Sequence, residues 1–112
     1  MKIINLVAHN INVLNKDGKE IIIPPSGKIV RVEFVQEEIN NVDNFSIFKK
    51  SYNNVKFPID IESDKFYIVS REVLKALQEQ DYPMVNNFMS PNTTKAKKDE
   101  NGVILNVRGF TV

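Results

Sequence analysis

Phe66-Tyr-Ile-Val-Ser-Arg-Glu-Val-Leu-Lys-Ala-Leu-Gln-Glu-Gln80 is the stretch that decides the fold class. Phe66 to Val69 is an apolar run compact enough to be a buried strand. Ser70 follows with a hydroxyl suited to capping a helix, and Glu72 suits the positive end of a helix dipole. Val73, Leu74 and Leu77 share one helical face, so the spacing predicts a helix over residues 71–80, ended by Pro83 and the Asn86-Asn87 pair. It is the one convincing helix in the chain.

Upstream of it the signals are those of strands. From Lys2 to Leu14 the apolar residues are β-branched or aliphatic and come in short runs, Asn15-Lys-Asp-Gly18 supplies turn chemistry, and Glu20 to Ile23 completes a hairpin. Two prolines and a glycine in Pro24-Pro25-Ser26-Gly27 turn the chain. Lys28 to Glu37 then alternates, with Val30, Val32 and Phe34 on one face and Arg31, Glu33 and Val35 on the other. Two more short strands, Phe45 to Lys49 and Val55 to Phe57, flank Tyr52-Asn-Asn54 in what reads as a meander. Downstream of the helix, Ser90-Pro-Asn-Thr-Thr94 reads as a structured loop, because Asn and Thr side chains bond the backbone near a proline turn. The polar stretch from Lys95 to Asn101 closes at Gly102. Val103 to Val112 reads as a last strand, with Leu105 and Val107 filling the core and Arg108 and Phe110 on the opposite face. The expectation is a mainly β (α+β) fold in a single domain spanning residues 1–112: an antiparallel meander or a partly closed small barrel with the helix packed on it.

The composition is that of an ordinary soluble globular domain: 112 residues, 42% hydrophobic, 26% charged and a net charge of +1. That balance argues against holding polymeric nucleic acid by bulk phosphate neutralisation. The absence of cysteine excludes disulfides and thiolate metal sites. No apolar run approaches the ~18–20 residues that span a bilayer, so no membrane partner is expected and the location is read as cytoplasmic. Only three arginines are present, Arg31, Arg71 and Arg108, and they are the only planar fork donors for a phosphate.

Catalytic chemistry finds little to work with. His9 is the only histidine and has no second imidazole with which to share a metal. Its ordinary reading is a turn residue bonded to backbone; the other is an acid–base or ligand role. Glu37 and Glu38 are consecutive and face opposite sides of a strand. The four glycines form no phosphate-binding motif, and no metal or cofactor is expected. Binding groups are better represented. Arg108 and Phe110, two apart in the last strand, can pair a phosphate and stack a base. Phe88 precedes the loop that bears Asn92 and Thr93, which offer amide and hydroxyl groups to a base edge, ribose or phosphate. Tyr82 adds a further ring after the helix, and Arg71 a second guanidinium at its start.

Three stretches also resemble a known family. Ile4-Asn-Leu-Val-Ala-His-Asn-Ile11, Tyr67-Ile-Val-Ser70, and Phe88-Met-Ser-Pro-Asn-Thr93 with Asn101-Gly-Val-Ile-Leu-Asn-Val-Arg-Gly-Phe110 are similar to the first-described type of phage Thoeris anti-defence sponge. The resemblance implies a non-enzymatic protein of the infected bacterial cytoplasm. Such a protein sequesters cyclic ADP-ribose isomers made by TIR-domain enzymes, and in some members cyclic oligonucleotides (cyclic di- or trinucleotides) as well. It implies a homo-oligomer, a dimer or a dimer-based assembly, with pockets at protomer interfaces. It also gives ligand-binding roles to Tyr82, Asn92 and Arg108. Tyr82 stands where the family has phenylalanine, and Thr94-Lys95-Ala96 departs from the family's Gly-Pro-Thr. The alternatives are a small nucleotide-processing enzyme using His9, and a phage structural or protein-interaction module.

Overall fold

The computed structural model describes residues 3–94 and 96–112. Lys2, read as opening the first strand, and Lys95, in the polar stretch before Gly102, lie outside the described residues. The described chain is mainly β with a single α-helix, and its sheets do not close into a barrel. The strands are β1 (Ile3–Asn5), β2 (Ile11–Leu14), β3 (Glu20–Ile23), β4 (Arg31–Val42), β5 (Phe45–Lys56) and β6 (Phe66–Ile68). After helix α1 (Arg71–Glu79) come β7 (Phe88–Pro91), β8 (Lys97–Lys98), β9 (Ile104–Asn106) and β10 (Phe110–Thr111).

The central sheet has the order β1-β6-β7-β10. Antiparallel pairing is confined to its β7/β10 edge and to the outlying hairpins, whereas β1/β6 and β6/β7 are parallel. The parallel pairs follow from the chain order. β6, α1 and β7 form a strand–helix–strand unit, whose helical crossover returns the chain to the start of the next strand. Asn5, Ile68 and Pro91 therefore all end their strands at one edge of the sheet.

Phe66 at the start of β6 is exposed, but from Tyr67 to Val69 the run is buried on both faces, as a central strand between two layers requires. Tyr67 and Val69 face the helix and join Val73, Leu74, Leu77, Phe88 and Leu6. Ile68 faces the other way and packs with Ile11, Val13 and Val107. The helix is capped as its sequence suggests: Ser70 Oγ accepts from the Val73 amide at 3.3 Å.

Asn5 is 2% exposed, yet every polar group of its side chain is engaged. Its Nδ2 donates to the His9 and Ile23 carbonyls at 3.0 and 3.1 Å, and its Oδ1 accepts from the Val7 amide at 2.9 Å. This amide fixes the loop that leaves β1. It also separates the short apolar runs of this stretch into two strands, β1 and β2, that lie in different sheets.

The two candidate strands after residue 44 are one. β4 and β5 run twelve residues each and pair over their whole length. They are joined at Asp43-Asn44, where φ of 50° and 68° gives the left-handed turn that Asp and Asn tolerate. Tyr52 to Asn54 is a bulge, where a turn was expected. At the base of this hairpin Lys56 Nζ lies 2.7 Å from Glu33 Oε1. That hydrogen bond, aided by Asn54, holds the Glu33 carboxyl below its ordinary value. The last strand is likewise broken. β9 ends at Asn106, the chain bends at Arg108-Gly109 with Gly109 at φ 112°, and β10 begins at Phe110. Val107 is buried as expected, but Leu105 is exposed. No helix among the described residues is long and apolar enough to cross a membrane.

Candidate functional site

Loops that leave the carboxyl ends of adjacent parallel strands converge, and in open sheets of this kind that edge is where ligands bind. Here the loops after β1, β6 and β7 line two adjoining cavities. The larger, about 770 Å³, is walled by Arg71, Lys75 and Gln78 of α1, by Asn92, Thr93 and Thr94 after β7, and by Tyr52 of β5. The smaller, about 360 Å³, is walled by Val7, His9, Ile11, Asn12, Ile104 and Leu105. Arg71, Ser90, Pro91 and Thr93 border both, so the two form one groove with a polar and a mainly apolar lobe. Its size is that of a small-molecule site.

Among the described residues, the polar lobe is lined by more basic than acidic side chains. Arg71 is the first residue of α1, whose opening N–H groups lack carbonyl partners within the helix and whose dipole is positive at this end. Lys75 lies one turn further along the same face, and Glu72 is the one acid in the lining. Asn92 is held in a turn, its Oδ1 accepting from the Thr94 backbone N–H and its own backbone N–H donating to the Gly109 carbonyl, both at 2.9 Å. With the oxygen so engaged, Nδ2 is the group Asn92 can offer a ligand. The guanidinium, the amide and the Thr93 hydroxyl together can hold phosphate and ribose oxygens.

Of the seven residues singled out from the sequence, the groove gathers Arg71, Asn92 and Thr93. Tyr82 packs 5.4 Å from Phe57 and 5.8 Å from Phe88, ring centre to ring centre, as a buttress of the core. Phe88 is 0% exposed and stacks on Tyr67 at 5.3 Å, so neither face of its ring is open to a ligand. Arg108 sits exposed at the bend between β9 and β10 and borders neither cavity. Phe110 is half-buried against the Ile11, Val13, Ile68 and Val107 cluster. The bend at Gly109 therefore removes the shared strand face on which Arg108 and Phe110 were expected to cooperate.

Tyr52, Lys75 and Gln78 were missed. The helical period from Arg71 carried a signal for the latter two, at four and seven residues on. Tyr52 reaches the groove only through the register of β5, which the sequence does not show. Among the described residues it is the only phenylalanine, tyrosine or tryptophan in the groove lining. His9 lines the smaller lobe, with Nδ1 2.9 Å from the Asn10 carbonyl, the backbone contact of a turn histidine. Among the described residues no group of three or more His, Cys, Asp or Glu side chains is placed to hold a metal. In comparisons with family models, curated proteins and solved structures, the chain matches none of them.

Proposed function

We propose that this chain binds and holds, without cleaving it, a small cyclic nucleotide of the cyclic ADP-ribose class. The observation that carries the reading is the meeting of Arg71, Asn92 and Thr93 with the amino end of α1 where three strands end. A pyrophosphate fits Arg71 and the helix terminus, ribose hydroxyls fit Asn92 and Thr93, and a base fits against Tyr52. The bilobed shape suits a ligand with two ring systems on either side of a phosphate bridge. A site this small needs no large basic excess, in keeping with the net charge of +1. The biological role that goes with such binding, by the resemblance to anti-defence sponges, is denial of a TIR-derived signal to its effector. Sequestration of that kind rests on affinity and slow release, not on turnover.

Isothermal titration with cyclic ADP-ribose isomers and with cyclic di- and trinucleotides tests the reading, followed by denaturation and mass analysis of the released ligand. One intact molecule per site, bound below micromolar concentration, is the expected result. A second reading, nucleotide processing by His9, has its observation in the place of that imidazole at the smaller lobe. Release of cleaved product by the wild type, and of intact ligand by His9→Ala, would establish it instead.

A further inference from the structure

We propose that the groove continues onto the β4–β5 hairpin as a subsite for a second nucleotide, so that the chain also takes linear dinucleotides that end in a phosphate. The inference rests on the nucleotide reading of the groove and starts from Tyr52, the aromatic wall of the polar lobe. Tyr52 is paired with Phe34 across the hairpin, and the two ring centres lie 6.5 Å apart with the rings inclined at 66°. Lys50 stands two residues along the same strand and therefore on the same face. Its ammonium lies 3.9 Å from the Phe34 ring centre and 5.6 Å from that of Tyr52. Phe34 is 47% exposed and, like Lys50, lines neither cavity. Tyr52, Phe34 and Lys50 thus form a strip that leads out of the groove onto open surface.

Rings interleaved with a cation suit a single-stranded nucleotide: each ring stacks a base whatever its identity, and the cation takes the phosphate between them. The inclination of the two rings sets one base on each of them, not the two bases on one another. Among the described residues the Lys50 ammonium meets no carboxylate. Its contact with the Phe34 ring is weaker than a charge-assisted bond to phosphate, so a phosphate can draw it aside and open that face to a base. Lys49, by contrast, lies on the other face, opposite Glu37. The order of the groups then describes the ligand. A terminal phosphate sits at Arg71, Lys75 and the amino end of α1, the first base on Tyr52, the bridging phosphate at Lys50 and the second base on Phe34. The next pair outward on this face, Glu38 with Phe48, brings a carboxylate that repels a further phosphate. The strip therefore serves one added nucleotide and not a polymer, in keeping with the net charge of +1.

Titration calorimetry of the full chain with 5′-phosphorylated diadenylate (pApA), AMP and cyclic ADP-ribose tests this. The wild type is expected to bind pApA roughly 5- to 150-fold more tightly than AMP, the effect of one stacked base. Phe34→Leu should abolish that gain and Phe34→Tyr should keep it. Lys50→Gln should weaken pApA binding roughly 3- to 10-fold, an exposed ion pair being screened, and leave cyclic ADP-ribose within about twofold of the wild type. Circular dichroism checks that each variant is folded, and the Lys50→Gln result decides alone if Phe34→Leu does not fold. AMP or cyclic ADP-ribose bound, with pApA no tighter than AMP, overturns the subsite and leaves the reading of the groove intact, as does a gain for pApA that survives Phe34→Leu. Binding of none of the three overturns both. Binding of pApA through Phe34 with cyclic ADP-ribose unbound supports the subsite and refutes the cyclic ligand.

Discussion

Replacing Arg71 by alanine separates a ligand-binding groove from an ordinary surface more sharply than any other single change. Arg71 borders both lobes, is exposed, and opens α1 without belonging to its buried face of Val73, Leu74, Ala76 and Leu77. A charge-assisted hydrogen bond to phosphate contributes about 1.5–3 kcal/mol. Its loss should weaken cyclic ADP-ribose binding by roughly 10- to 150-fold. The helix terminus and Lys75 remain in the variant, so binding falls without vanishing. Stability should hold or rise slightly, because alanine is at least as good a helix former as arginine. Arg108→Ala is the companion: Arg108 borders neither cavity, so its removal should change affinity less than about threefold, well under the cost of one charge-assisted bond. Titration calorimetry and thermal melts of both variants read these quantities. A full loss at Arg108 with none at Arg71, or a fall in melting temperature that accounts for the lost binding at Arg71, would refute the reasoning.

Phe88→Ala should cost about 3–5 kcal/mol of folding stability, measured by urea unfolding, because the ring is fully buried among Tyr67, Phe57 and Tyr82; an unchanged midpoint would mean the ring is not in the core. Ser70→Ala removes the cap of α1 and should cost about 1 kcal/mol, lowering the thermal midpoint by roughly 4 °C. Glu33 has its carboxyl held below the ordinary value of 4.5 by Lys56 and Asn54. It adds stability that is present above 4.5 and lost as pH falls through its folded value. Thermal melts from neutrality to well below 4.5 should therefore show a small loss in the wild type that Glu33→Gln does not share, small because the pair is exposed.

The strand-cap-helix unit over residues 66–80 was legible because three independent signals agree there: a short apolar run, a capping hydroxyl and an apolar face at helical spacing. The parallel pairing of β6 with β7 was not, since Ser90 to Thr94, with its proline and polar residues, reads as a loop and leaves Phe88 and Met89 too short a run to signal a strand. It is a strand because Phe88 is drawn into the aromatic cluster and the Ser90 and Pro91 backbone meets β10. The same burial explains why Phe88 and Tyr82, suited by chemistry to stacking a base, are occupied in the core. Residue type alone does not say whether an aromatic ring faces a ligand or another ring. Asn92 and Thr93 were found from the turn chemistry of their loop, and Arg71 from the scarcity of guanidinium groups. Tyr52 was out of reach because the bulge that sets its position depends on twelve residues of cross-strand register. Arg108 was paired with Phe110 on the assumption of an unbroken strand, which Gly109 ends.

The most direct test is a crystal structure of the protein with cyclic ADP-ribose bound. The account predicts an intact ligand in the bilobed groove, a phosphate oxygen within about 3 Å of the Arg71 guanidinium, and contacts from Asn92 and Thr93. A ligand seated elsewhere on the chain, or a groove that stays empty at saturating concentration, would contradict it.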